Sequence, residues 1–182
     1  MGKKVLLGCL AIISVISLTA CGNTNKDNAG NKTETVKVKK QEAKVPSFTN
    51  DILRIEDAEI KIKKIETAKP NTEMGETEPT LIITFSFRNK KEEPLDAMTT
   101  WIACFTATQD GGDTIDELDV AMAPQAQKYK KLNENTQANL KPGKTINAVI
   151  SYNIKYNDKP VTLKAIQGTS GKDLGKKVIN LK

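Results

Sequence analysis

The 182-residue sequence contains no histidine, only eight aromatic residues and only three cysteines, and each shortage excludes a class of protein. Without His, the usual general base and the commonest metal ligand are missing. Three cysteines, at positions 9, 21 and 104, are too few for a disulfide-dense miniprotein. The main apolar run, Val5 to Leu18, is 14 residues long. As a helix it would span about 21 Å, short of the roughly 20 apolar residues that a membrane-crossing helix needs. What is abundant is charge: 28 Lys and Arg against 22 Asp and Glu, a net +6 and a pI near 9.1. A basic total invites a nucleic-acid reading. Its distribution removes that reading. Lys3 and Lys4 hold two of the six charges, residues 22–46 hold a net three, and residues 47–182 are almost neutral, with 20 basic against 19 acidic side chains.

The basic start, the apolar run and the small residues that end it have the layout of a secretory signal. Leu18-Thr19-Ala20-Cys21, followed by Gly22, resembles the lipobox of bacterial lipoproteins. That resemblance implies a signal over 1–20, removed by cleavage before Cys21, and a diacylglycerol thioether on Cys21, with the amino group free or acylated. Two acyl chains give stable anchoring where one is marginal. Cys9 would leave with the signal. With Cys21 acylated, Cys104 has no partner, so the expected mature chain has no disulfide. Residues 21–46 read as the lipidated Cys and a tether rich in Asn, Thr and Lys, too poor in large apolar side chains to fold. A coil of this length reaches on the order of 25 to 30 Å. The expected location is the outer face of the cytoplasmic membrane.

Residues 47–182 suit one domain. Leu81, Ile83, Phe85 and Phe87 alternate with Ile82, Thr84, Ser86 and Arg88, the period of a half-buried strand. Trp101 to Thr108 alternates likewise and predicts a second strand, running into a hairpin turn at Gln109-Asp110-Gly111-Gly112. Thr145 to Tyr152 is apolar on both faces and predicts a central strand. Weaker strands are expected at 52–55, 59–65, 115–120, 161–166 and 178–181. Met122, Ala126, Tyr129 and Leu132 fall at helical spacing, which predicts a short helical turn within 122–139. The fold class that follows is all-β, an antiparallel β-sandwich of about seven or eight strands.

Phe87-Arg88-Asn89-Lys90-Lys91-Glu92-Glu93-Pro94-Leu95, and Leu140-Lys141-Pro142-Gly143-Lys144 leading into Ile146 to Tyr152 and then Lys159-Pro160-Val161-Thr162-Leu163, resemble motifs of immunoglobulin-like domains in small lipoproteins of Gram-positive bacteria. The resemblance spans most of 50–168. It implies an immunoglobulin-like sandwich of unknown function, related to a secreted mycobacterial antigen, and supplies no catalytic residues.

Few constellations suggest chemistry. Pro142-Gly143-Lys144-Thr145 ends like a phosphate-binding loop, but Ala138 stands where the first glycine belongs and a strand follows where a helix is needed. A Pro-Gly turn explains it. Ser170-Gly171-Lys172 sits in a glycine-rich loop and opens no helix. Asp110, Asp113, Asp116 and Asp119 could supply oxygens to a weak calcium site, although their spacing departs from the EF-hand; charges protecting a hairpin edge are the plainer reading. Lys128, Lys130 and Lys131 flank Tyr129 and could face an anionic wall polymer or headgroup. These readings point to a non-enzymatic, membrane-anchored binding or interaction module with no cofactor and no nucleic-acid partner. The alternative is an accessory or sensor subunit of a membrane complex such as a transporter.

Overall fold

The computed structural model describes residues 45–169 and 171–181. The expected signal, Cys21 and nearly all of the expected tether lie outside this range, as do Ser170 and Lys182.

Among the described residues, nine strands form two antiparallel sheets that enclose one core. The first sheet joins β1 (Ser47–Thr49), β2 (Ile52–Arg54), β3 (Ala58–Ala68), β4 (Thr80–Asn89) and β7 (Thr145–Asn153), in that spatial order. The second orders β6 (Ile115–Glu117), β5 (Phe105–Asp110), β8 (Val161–Ile166) and β9 (Asp173–Ile179). This is the antiparallel β-sandwich that the alternating apolar pattern predicts. Ile60, Ile83, Phe85, Phe87 and Ile150 from the first sheet meet Phe105, Leu163, Ala165 and Ile179 from the second. In β3 the apolar positions change parity, from Ile60 and Ile62 to Ile65. A bulge between Ile62 and Lys64 absorbs the change, so that Ile65 pairs with Ile83 and rejoins the core face.

Three expectations need correction. Residues 101–104 are not strand: they complete helix α1 (Ala97–Cys104), and β5 starts only at Phe105. The Asp96 side chain accepts from Thr99 N at 2.7 Å and caps the helix. The helix buries Ala97, Trp101 and Cys104, spaced four and three apart. Trp101 thereby stacks between Phe85 and Phe105, with ring centroids 4.4 Å from each. Second, β7 is an edge strand and not a central one. Its outer face is apolar because helix α2 (Lys130–Thr136), entered through a 3-10 turn at Gln127–Tyr129, lies against it. Ile82, Tyr129 and Val149 form a small second cluster there, with Leu132 against it, while Met122 and Ala126 stay exposed. Third, the strand expected at 115–120 stops at Glu117. Leu118 N still donates to Ala107 O in the second sheet, whereas Ala121 N donates to Ser151 O on the first. Residues 118–121 therefore cross from one sheet to the other.

Candidate functional site

The free side of β7 is where the fold builds its most distinctive surface. In an antiparallel edge strand, alternate residues turn both backbone groups away from the neighbouring strand. Here those groups are covered by pieces of chain that are not strands. Asn135 Nδ2 donates to Asn147 O at 2.8 Å. Thr136 Oγ1 accepts from Val149 N at 3.1 Å and lies 2.9 Å from Val149 O. Ala121 N donates to Ser151 O at 2.9 Å, and Asn153 N donates to Asp119 O at 3.0 Å. The cover protects an edge that would otherwise template pairing with another chain.

Between the two covering pieces lies a cleft of about 110 Å³, bounded by Met98 of α1, by Val120, Ala121 and Ala123, by Asn133, Thr136 and Gln137 at the end of α2, and by Val149, Ile150 and Ser151 of β7. Its walls are mostly apolar, and none of its ten lining residues is ionisable.

Polar groups in the core are otherwise well satisfied. Asn89 is fully buried; its Nδ2 donates to Glu93 O at 2.7 Å and Leu140 O at 2.8 Å, and its Oδ1 accepts from Lys91 N at 2.8 Å. The Asn-to-Pro-Leu motif of 87–95 is thus a structural device that ties the turn after β4 to Leu140. Gln109 is equally occupied. Its Nε2 donates to Tyr156 O and Lys159 O, while its Oε1 accepts from Lys155 N and Tyr156 N. Against this background, the buried side-chain atoms without a partner among the described residues are Asn133 Oδ1 and Ser151 Oγ. Both residues line the cleft. Asn133 Nδ2 donates to Pro124 O at 2.7 Å, which fixes the amide: a flip would set two oxygens against each other and leave the carbonyl without a donor. The Oδ1 acceptor is therefore the group left free.

The residues singled out from the sequence lie elsewhere. Asp110, Asp113, Asp116 and Asp119 are not gathered into a cation site; no group of three or more ligand-type side chains suited to a metal occurs among the described residues. Asp110 Oδ1 accepts from Gly112 N within the turn. Asp116 accepts from the Tyr156 hydroxyl at 2.7 Å and from Thr114, and the Tyr156 bond, ahead of the others, holds its carboxyl below the usual range. A side chain at Gly111 would run into Asp116, Thr114 and Tyr156, which explains a glycine there. Lys128, Lys130 and Lys131 do not present three free cations. Lys128 Nζ binds Glu66 at 3.2 Å and sits over the Tyr129 ring, and Lys131 binds Glu134 at 3.1 Å. Glu66 also takes Lys64 at 2.9 Å and the Tyr129 hydroxyl at 3.0 Å. Lys64 first, then Tyr129 and Lys128, bring its carboxyl down to about 2. Gly143 takes positive φ in the Pro-Gly turn, and its N–H is spent on Asn89 O, as a turn and not a phosphate loop requires. Cys104 is a buried free thiol whose pKa is pushed up by burial.

Comparison with known proteins agrees with the fold. No curated protein matches the chain. A solved structure described as a "putative lipoprotein" of Staphylococcus aureus superposes with a TM-score of 0.66 at 21% identity, covering 75% of this chain and 92% of that one. The solution structure of a protein from Enterococcus faecalis gives a TM-score of 0.62 at 16% identity, covering 76% and 95%. A family described only as a domain of unknown function matches residues 26–167, so its match begins within the expected tether and ends before β9. That match takes in most of the sequence, and the chain belongs to this family, DUF5067.

Proposed function

We propose that the protein is a lipid-anchored lipoprotein of the outer face of the cytoplasmic membrane, whose β-sandwich serves as a non-enzymatic binding module. The observation that carries the anchor is Leu18-Thr19-Ala20-Cys21 at the end of the 14-residue apolar run. The fold shared with the staphylococcal protein, itself described as a "putative lipoprotein", supports the same reading. The binding role is supported by the cleft beside β7, where two polar atoms lie buried without partners. A non-enzymatic role is supported by the lack of histidine and by a single described thiol that is buried and held protonated. The near neutrality of residues 47–182 argues against nucleic acid as the partner.

Growth of expressing cells with a labelled fatty acid tests the anchor. Label is expected on the protein and in the membrane fraction, and Cys21→Ala is expected to lose both. Label retained by Cys21→Ala, or wild-type protein found free of lipid, contradicts the assignment.

A further inference from the structure

The open half of the first sheet carries a charge pattern that points to a partner surface, taking the lipid-anchored reading as its basis. Helix α2 covers the outer face where Ile82 and Val149 lie, and two cross-strand rows extend beyond it. In one row Ser47, Arg54, Glu59, Arg88 and Thr145 stand side by side; in the next, Lys61 pairs with Ser86 and Ser86 with Asn147. Directly opposed residues share a face of the sheet. It is the outer face here, because their chain neighbours Leu53, Ile60, Phe85 and Phe87 fill the core. Lys61, Arg88, Thr145 and Asn147 are exposed.

The two rows set Arg54, Lys61 and Arg88 against a single acid, Glu59, which is spent on Arg54 at 3.2 Å. Neither Lys61 nor Arg88 has an ion-pair partner among the described residues. Lys63, exposed in the β3 bulge, adds another cation. Residues 47–182 hold 20 basic against 19 acidic side chains, so this excess is local and is balanced by acids elsewhere, among them those of the 110–119 hairpin on the second sheet. Strands lie about 4.8 Å apart, which places Arg54 and Arg88, two strands apart, about 10 Å from each other on a flat array. A flat array matches a plane of phosphates. The chain that carries Cys21 enters the sandwich at Ser47, the first residue of β1 and a member of the Arg54–Arg88 row. We propose that this face lies on the anionic headgroups of the membrane to which the chain is anchored, with Lys61, Lys63 and Arg88 on lipid phosphates. Ile52, paired with Lys61, is half-buried, so the contact is electrostatic, stops at the headgroups and is screened by salt.

Lysine footprinting tests the docked face. The membrane-extracted protein is reconstituted into vesicles of phosphatidylcholine alone or of an equal mixture of phosphatidylcholine and phosphatidylglycerol, treated with a neutral amine-acetylating reagent, and read by peptide mass spectrometry. Acetylation of Lys61 and Lys63 should be slowed in the mixed vesicles only, and high salt should abolish the difference. Lys164 and Lys176, paired on the second sheet, should react alike in both. Lys61→Gln with Arg88→Gln, both at exposed positions, should leave the Tm unchanged and remove the protection of Lys63, each lost cation lowering the docked-to-undocked ratio about fivefold. The proposal is overturned by equal reactivity of Lys61 and Lys63 in the two vesicle types, by an equal slowing of Lys164 and Lys176, or by protection of Lys63 that survives the double substitution. Protection by added polyglycerol phosphate but not by phosphatidylglycerol would also overturn it and would assign the face to a wall polymer. Flotation with phosphatidylcholine vesicles reads the Cys21 anchor alone, whereas the lysine pattern reads the face, so the failure of one is distinct from the failure of the other.

Discussion

Trp101 Nε1 donates a 2.7 Å hydrogen bond to the Tyr152 hydroxyl, joining helix α1 to strand β7 across the core. Both residues are almost wholly buried, at 0% and 3% exposure. Tyr152→Phe leaves the indole N–H without its partner and should cost about 1–3 kcal/mol. Trp101→Ala opens a cavity between Phe85 and Phe105 and should cost about 3–5 kcal/mol. Denaturant melts of the two variants check the order. Burial also pushes the Tyr152 phenol up to about 12, and the bond to Asp116 raises Tyr156, so ultraviolet titration of the folded protein should show both ionising late, and Tyr152→Phe should remove one of these late steps.

Glu66 should govern part of the acid limb of stability. Its carboxyl is lowered from 4.5 to about 2 in the fold by Lys64, Tyr129 and Lys128. A depressed carboxyl contributes stability above its unfolded pKa and loses it as pH falls through the folded value. The loss should therefore run from about 4.5 down to 2. Glu66→Gln should flatten that slope in a series of melts across this range.

Thr136 holds the middle of the β7 edge. Thr136→Val keeps the shape but removes the hydroxyl that serves Val149 N and O. A cost of about 1–3 kcal/mol is expected. Light scattering on heating should also rise, because an uncovered edge pairs with other chains.

Cys104 is 1% exposed and held protonated by burial. Its alkylation by iodoacetamide should be negligible in the folded protein and rapid in denaturant. Prompt reaction under native conditions would contradict the buried placement.

The sandwich was legible because strands β4 and β7 carry clear apolar patterns within a single run of sequence. Where two periods overlapped, the sequence misled. Trp101, Ala103, Phe105 and Ala107 fit a strand, yet Ala97, Trp101 and Cys104 fit a helix, and the cap at Asp96 with the Thr99 amide decides between them. β7 looked central because burial on both faces does not say whether a sheet or a helix covers the second face. Here α2 supplies that cover. The cleft was not legible at all. Asn133 and Ser151 sit on different elements and form no motif, and whether a polar atom is unpartnered depends on every neighbour around it. Asn89 shows the reverse: a recognisable strand-end motif whose buried amide is fully spent on holding a turn.

Intact mass spectrometry of the membrane-extracted mature protein bears most directly on the lipoprotein assignment. The expected mass is that of a chain beginning at Cys21 and carrying a diacylglyceryl thioether, with or without an acyl group on the amine. A chain that retains residues 1–20, or one that begins elsewhere and carries no lipid, would contradict it.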